Sequence, residues 1–116
     1  MGLNHVNLTV ADVERSTAFY REHFGFTEVV HDDEHLRMLA DGDGSLLALM
    51  PGTPPPEPGE SFHFGFQLAD AEEVRSARVR LQRAGVVEVW FFDDGPMALV
   101  RVSDPDGYHV EQFSSG

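Results

Sequence analysis

His5-Val6-Asn7-Leu8-Thr9-Val10-Ala11-Asp12-Val13-Glu14 returns 58 residues later as His63-Phe64-Gly65-Phe66-Gln67-Leu68-Ala69-Asp70-Ala71-Glu72. Gly25 is answered by Gly85, and Asp43-Gly44 by Asp106-Gly107, at offsets of 60 and 63. A slowly drifting offset is what loop insertions leave between two copies of one supersecondary unit. The chain therefore reads as one motif written twice, with His5 and His63 at the same position in each copy.

Outward from these stretches, each copy orders itself by periodicity. Residues 3–10 alternate apolar with polar, as a strand with one buried face does. Asp12 caps a helix over 13–24 with an apolar stripe at Val13, Ala18, Phe19 and Phe24, and Gly25 ends it. Strands follow at 26–31, 35–40 and 45–50. In the second copy a strand covers 61–68. Asp70 and Glu73 make a capping-box-like start to a helix through Ala84, and strands cover 86–92, 96–103 and 107–114. Asp93-Asp94-Gly95 and Asp104-Pro105-Asp106-Gly107 are turns. The expected fold is α+β, two tandem βαβββ modules. Module one spans 1–50 and module two 61–116. Between them lies a Pro-rich linker, 51–60, holding five of the seven prolines.

Charge narrows the partners. Twenty acidic against eight basic residues give a net charge of −12. No basic surface for nucleic acid can be assembled from that composition, and an anionic membrane surface is disfavoured for the same reason. The absence of cysteine excludes disulfides and thiolate metal sites. Met1-Gly2-Leu3-Asn4-His5 lacks the basic leader and apolar run of a signal peptide, and no apolar stretch is long enough to span a bilayer. A cytoplasmic protein is expected.

Period two also sorts side chains onto faces. His5, Asn7 and Thr9 share one; so do His63, Gly65 and Gln67; so do His109, Glu111 and Phe113. The repeat puts Ala48 opposite Glu111. The helices must cover the apolar faces, which leaves His5, His63 and Glu111 on the uncovered ones. Two imidazoles and a carboxylate are a common donor set for a divalent transition ion with positions left open for substrate. Asn7 and Gln67 are candidate substrate contacts. Arg37 and Arg101 are the inner-strand cations that could hold an anionic group. Met50, Trp90, Phe91, Phe92 and Phe113 are candidates for an apolar lining. His23, His31 and His35, at a helix end or near a turn, read as solvated.

Leu3-Asn4-His5-Val6, Ser16-Thr17-Ala18-Phe19-Tyr20 with Phe24-Gly25-Phe26, and Asp104-Pro105-Asp106-Gly107-Tyr108-His109-Val110-Glu111 resemble the signatures of the vicinal oxygen chelate superfamily. That group includes glyoxalases, bleomycin-resistance proteins, fosfomycin-modifying enzymes and extradiol dioxygenases. The resemblance covers the whole chain. It implies modules cupped around a metal site, and a homodimer. Carried over, the ligand positions are His5, Ala48, His63 and Glu111. Ala48 departs from the four-ligand pattern of glyoxalase I and methylmalonyl-CoA epimerase, which disfavours both. A His-His-Glu set looks like the extradiol dioxygenases and fosfomycin-modifying enzymes. Asn7 stands where the latter carry a hydroxyl residue, and the chain is shorter than most of the former.

Two functions follow as expectations. The first is a small metal-dependent enzyme of dioxygenase or lyase type. Fe(II), Mn(II), Ni(II), Co(II) or Zn(II) would be held by His5, His63 and Glu111 and would chelate vicinal oxygens of a small organic substrate. His109 would serve as general base or as a group supporting the ligands, and Asn7, Ala48, Gln67, Arg101 and Phe113 would line the substrate. The second is a metal-free module of bleomycin-resistance type that sequesters a small cationic ligand, which the acidic balance suits.

Overall fold

A computed structural model describes residues 1–115 and divides into two compact units, Met1–Pro56 and a second from Glu57 onward. The first holds β1 (His5–Val10), α1 (Val13–Phe24), β2 (Glu28–Asp32), β3 (Arg37–Ala40) and β4 (Leu46–Pro51). The second opens with a 3-10 turn, Pro58–Glu60. It continues as β5 (His63–Gln67), α2 (Ala71–Arg83), β6 (Glu88–Asp93), β7 (Ala98–Ser103) and β8 (His109–Ser114). The sheets are ordered β1-β4-β3-β2 and β5-β8-β7-β6, and in each the first strand lies parallel to the last. The fold is α+β, as the doubled pattern requires. No helix among the described residues is long and apolar enough to cross a membrane.

Ends differ from the sequence expectation for local reasons. Strand β7 starts at Ala98 rather than at Pro96, which has no N–H to give a ladder. Strand β8 starts at His109 because Gly107, at φ 92, is still in the turn. Of the Pro-rich stretch, Pro51 closes β4 opposite Val10, and Pro58–Glu60 forms the turn that opens the second unit.

Helix α1 has the expected bounds but a different buried face. Ser16, Thr17, Tyr20 and Phe24 are buried, while Ala18 is exposed and Val13 and Phe19 are half-buried. The apolar stripe misled because Thr17 disposes of its hydroxyl on the Val13 carbonyl, 2.7 Å away, and so buries as an apolar residue would. His23 is also less solvated than expected: its side chain is 12% exposed and packs edge-on against Phe19. His31 and His35 are exposed.

Arginines tie each helix to the far strands. Arg37 lies on the α1 side of its sheet, bonding Glu14 at 2.7 Å and Asp32 and Thr17 at 3.2 Å. It is thus removed from any anion-holding role on the opposite face. On α2, Arg78 grips Glu88 at 2.7 and 3.1 Å and stacks 3.7 Å over Phe91, which accordingly faces the helix rather than a pocket. Arg75 grips Asp93 with two bonds, at 2.8 and 2.9 Å.

The Arg75 guanidinium, helped by the Gly95 N–H, holds the Asp93 carboxyl down at about 2. A folded value below the unfolded one gives stability that is complete above about pH 4 and lost as pH falls toward about 2. Asp93→Asn lacks that contribution. Its urea midpoint is expected to fall less than that of wild type between pH 4.5 and 2.5, with the difference shrinking in high salt because the pair is exposed. Parallel losses in the two proteins would show that the clamp does not steady the fold.

Both sheets carry a bulge in the edge strand, between Val29 and His31 in β2 and between Glu88 and Trp90 in β6. The extra residue shifts the side-chain alternation by one. In β6 this sets Trp90 opposite Arg101 and Phe92 opposite Leu99, on the face away from α2.

Candidate functional site

The turn after β7 determines what meets on that face. Buried Asp104 accepts from the N–H groups of Asp106 and Tyr108, each at 2.9 Å, and Gly107 takes the left-handed position. This fixes the β7–β8 register, so Ser103 faces His109, Arg101 faces Glu111 and Leu99 faces Phe113. The parallel pairing of β5 with β8 then sets His63 beside His109, Gly65 beside Glu111 and Gln67 beside Phe113. These six positions, three from β5 and three from β8, lie on one face.

At its centre is a three-residue cluster. His63 Nε2 stands 3.8 Å from Glu111 Oε1. Arg101 Nε donates to Glu111 Oε2 at 3.0 Å, and the Nη2 of the same guanidinium lies 3.3 Å from His63 Nε2. A guanidinium can only donate, so this contact is a hydrogen bond where His63 Nε2 accepts. The Glu111 side chain is 11% exposed and the Arg101 side chain 21%, so this is a largely dehydrated pair, while His63 opens to solvent. The Trp90 ring backs the guanidinium, 5.2 Å from Cζ.

The other predicted residues fall around or apart from this cluster. His109 is half-buried on the same face, its ring laid against Gly59, where even a Cβ would collide with it. Gln67 is exposed and donates to Ser115 Oγ at 2.9 Å; Phe113 is half-buried beside it. His5, Asn7 and Ala48 belong to the first unit. There Asn7 pairs with Ala48, which is buried, and the Nδ1 of exposed His5 lies 3.3 Å from Oδ1 of its neighbour Asn4. Among the described residues no three His, Asp or Glu side chains gather around one point; the pair His63 and Glu111 does come together. A cleft of about 360 Å³ lies elsewhere, between the start of α2 and Gln112, and contains none of these donors.

The family model described as the Glyoxalase/Bleomycin resistance protein/Dioxygenase superfamily matches residues 2–112. The chain belongs to that superfamily. A superfamily relative, the catechol-2,3-dioxygenase of Bacillus subtilis (strain 168), is 29% identical over 117 aligned residues, covering 97% of this chain but 41% of the relative. The chain thus spans about two fifths of that protein's length. The glutathione transferase FosA of Serratia marcescens is 27% identical over 111 residues, covering 94% of this chain and 77% of the relative. In structure, the fosfomycin resistance protein FosX of Listeria monocytogenes superposes with a TM-score of 0.82 at 24% identity, covering 100% of this chain and 94% of that one. The dioxygenase and the transferase are enzymes by name, with different reactions. The fold is shared; the reaction is not thereby chosen.

Sequence reading joined His63 with Glu111 in one donor set but left Arg101 and Trp90 apart from them. One signal could have joined them. In a hairpin turning about Asp106, residues equally distant from the turn pair, which sets Arg101 against Glu111. Gly65 was also missed. Its lack of a side chain lets the Glu111 methylene lie over β5, since a Cβ there would come within 2.4 Å of Glu111 Cγ.

Proposed function

We propose that this protein is a small metal-dependent enzyme. His63 and Glu111 would hold a divalent ion, with His5, the counterpart of His63 in the repeat, as third donor. The observation that carries the reading is the His63–Glu111 pair. His63 Nε2 and one carboxylate oxygen face each other at 3.8 Å, and the second oxygen is held by Arg101. The donors suit Fe(II), Mn(II), Ni(II), Co(II) or Zn(II), and a carboxylate bonded by a neighbouring cation is oriented as metal-binding carboxylates are.

When bound, the ion would supply Lewis-acid charge for two adjacent oxygens of a small organic substrate. The protein's own part is positional. Arg101 fixes the Glu111 rotamer, and Phe113, Trp90 and Leu99 supply apolar wall on the same face. His109, the second imidazole there, is the proton-transfer group of this reading, steadied by its packing on Gly59. Asn7 and Ala48 would meet substrate from the first unit, and Gln67 from the second. Ring-opening dioxygenation and lyase-type chemistry both fit such a centre, and glyoxalase I chemistry is disfavoured by Ala48. The homodimer expected from the resemblance belongs to the same reading.

The test is metal content after anaerobic loading with Fe(II) or Mn(II). Wild type is expected to retain about one ion per chain, and His63→Ala to retain none. Absence of stoichiometric metal from wild type would overturn the enzyme reading and leave the metal-free binding module, to be pursued by titrating small cations.

A further inference from the structure

We infer that the cleft between Gln112 and the start of α2 is a binding site for a small organic ammonium ion. Its acceptors are the Gln112 side-chain oxygen and the carboxylates of Asp70, Glu72 and Glu73. The site is separate from the metal centre proposed above, because Gln112 and Glu111 are neighbours on β8 and so point to opposite faces.

An unsatisfied amide marks the place. Gln112 lines the cleft and is 8% exposed, yet its Oε1 has no hydrogen-bond partner. Two positions on, on the same face of β8, buried Ser114 also has an unpartnered Oγ. These are two of the three such side-chain atoms among the described residues. Buried polar groups are normally bonded, so two orphans side by side mark a place where a guest or water belongs. The cleft, about 360 Å³, far exceeds the roughly 30 Å³ of one water and lies in the range of small-molecule sites. Nor does the fold itself require an amide here. The Leu8–Leu49 pair of the first sheet corresponds to Phe66–Gln112 in the second, and Leu49 is completely buried. One copy of the module closes over leucine; the other sets an amide beside a cleft.

The lining decides the sign of the guest. Three carboxylates and one guanidinium, Arg80, border the cleft. Asp70 Oδ1 accepts the Glu73 N–H at 2.8 Å, and Glu73 Oε2 accepts the Ala69 N–H at 3.0 Å. These acidic side chains thus cap the helix end, and their charge opposes an anion there. Each keeps a second oxygen, and Gln112 Oε1 adds a neutral acceptor. A guest with several N–H donors and a positive charge matches that set through charge-assisted bonds. A bare metal ion does not, since among the described residues no three His, Asp or Glu side chains gather around one point.

Propylammonium is the probe, followed by NMR of the 15N-labelled protein at fixed ionic strength, with propionate as the anionic counterpart. Propylammonium is expected to shift, saturably, the Gln112 side-chain amide of wild type and the backbone amides of residues 70–76; propionate should not. Gln112→Leu, which copies Leu49, should bind at least about tenfold more weakly. Glu72→Gln alters a side chain that is 77% exposed and so guards against a folding failure; it should weaken binding about threefold. Equal affinity in either variant would mean a diffuse attraction to the acidic surface and would overturn the site. So would the absence of saturation in wild type, a preference for propionate, or shifts centred on His63 and Trp90. Metal content should be the same in all three proteins, so this site and the metal centre stand or fall separately.

Discussion

Glu111→Ala is expected to abolish stoichiometric metal binding and also to cost about 1–3 kcal/mol of folding stability. The two losses have one origin. The Glu111 carboxylate is 9% exposed as a residue and is the acidic partner of Arg101, whose side chain is itself 21% exposed. Removing it leaves a part-dehydrated guanidinium with the His63 imidazole at 3.3 Å and the Trp90 ring beside it but no anionic partner among the contacts described. A charge left in that state costs far more than the pair contributes over an apolar substitute. Glu111→Gln separates the two effects. Its amide oxygen can still accept from Arg101 Nε, so much of the stability should return. The charge that a divalent ion needs does not, so metal should remain absent. Urea denaturation and elemental analysis of the three proteins give both readings. An alanine variant that keeps its metal would remove Glu111 from the centre. One as stable as wild type would mean that Arg101 is satisfied elsewhere.

What was legible beforehand follows from the range over which each signal acts. The doubled βαβββ order was readable because it rests on local periods and on turn chemistry: Asp12 and Asp70 cap helices as anticipated, accepting from Arg15 and Glu73 backbone N–H groups at 3.1 and 2.8 Å. Period-two alternation likewise assigned His63 and Glu111 their face. Three things escaped. The buried side of α1 did, because polar Ser16 and Thr17 were judged by composition rather than by where their hydroxyls can bond. Trp90 was seen only as lining, because the bulge after Glu88 that turns it toward Arg101 leaves no trace in local alternation. The Arg101–Glu111 contact escaped because it depends on strand register, a long-range property that a single turn, Asp104 to Gly107, sets. The Arg37 and Arg101 side chains looked equivalent in sequence. One faces its helix and the other faces the donors, and only the pairing of their strands separates them.

Gly65→Ala is the second large effect, and it tests the geometry without touching a donor. The added Cβ would lie 2.4 Å from Glu111 Cγ and 3.0 Å from the Glu111 carbonyl oxygen. Neither atom can yield cheaply. The carbonyl belongs to the β8 backbone, and Cγ is the hinge on which the carboxylate is aimed. The strand pair must spread or the Glu111 side chain must leave its rotamer, an overpacking cost of about 1–3 kcal/mol. Gly25 and Gly85 make the contrast. Both have positive φ, 74 and 77, yet a Cβ at either would meet nothing within 4 Å. Alanine there should cost only about 1 kcal/mol of backbone conformation and leave metal binding alone. Gly65→Ala should lose metal although His63, Glu111 and His5 are all still present. The comparison is metal stoichiometry against urea midpoint for Gly65→Ala and Gly25→Ala. Loss of stability in both with loss of metal in the first alone is the expected pattern. Full metal binding by Gly65→Ala would mean that the carboxylate reaches its ion from a position other than the one seen beside His63.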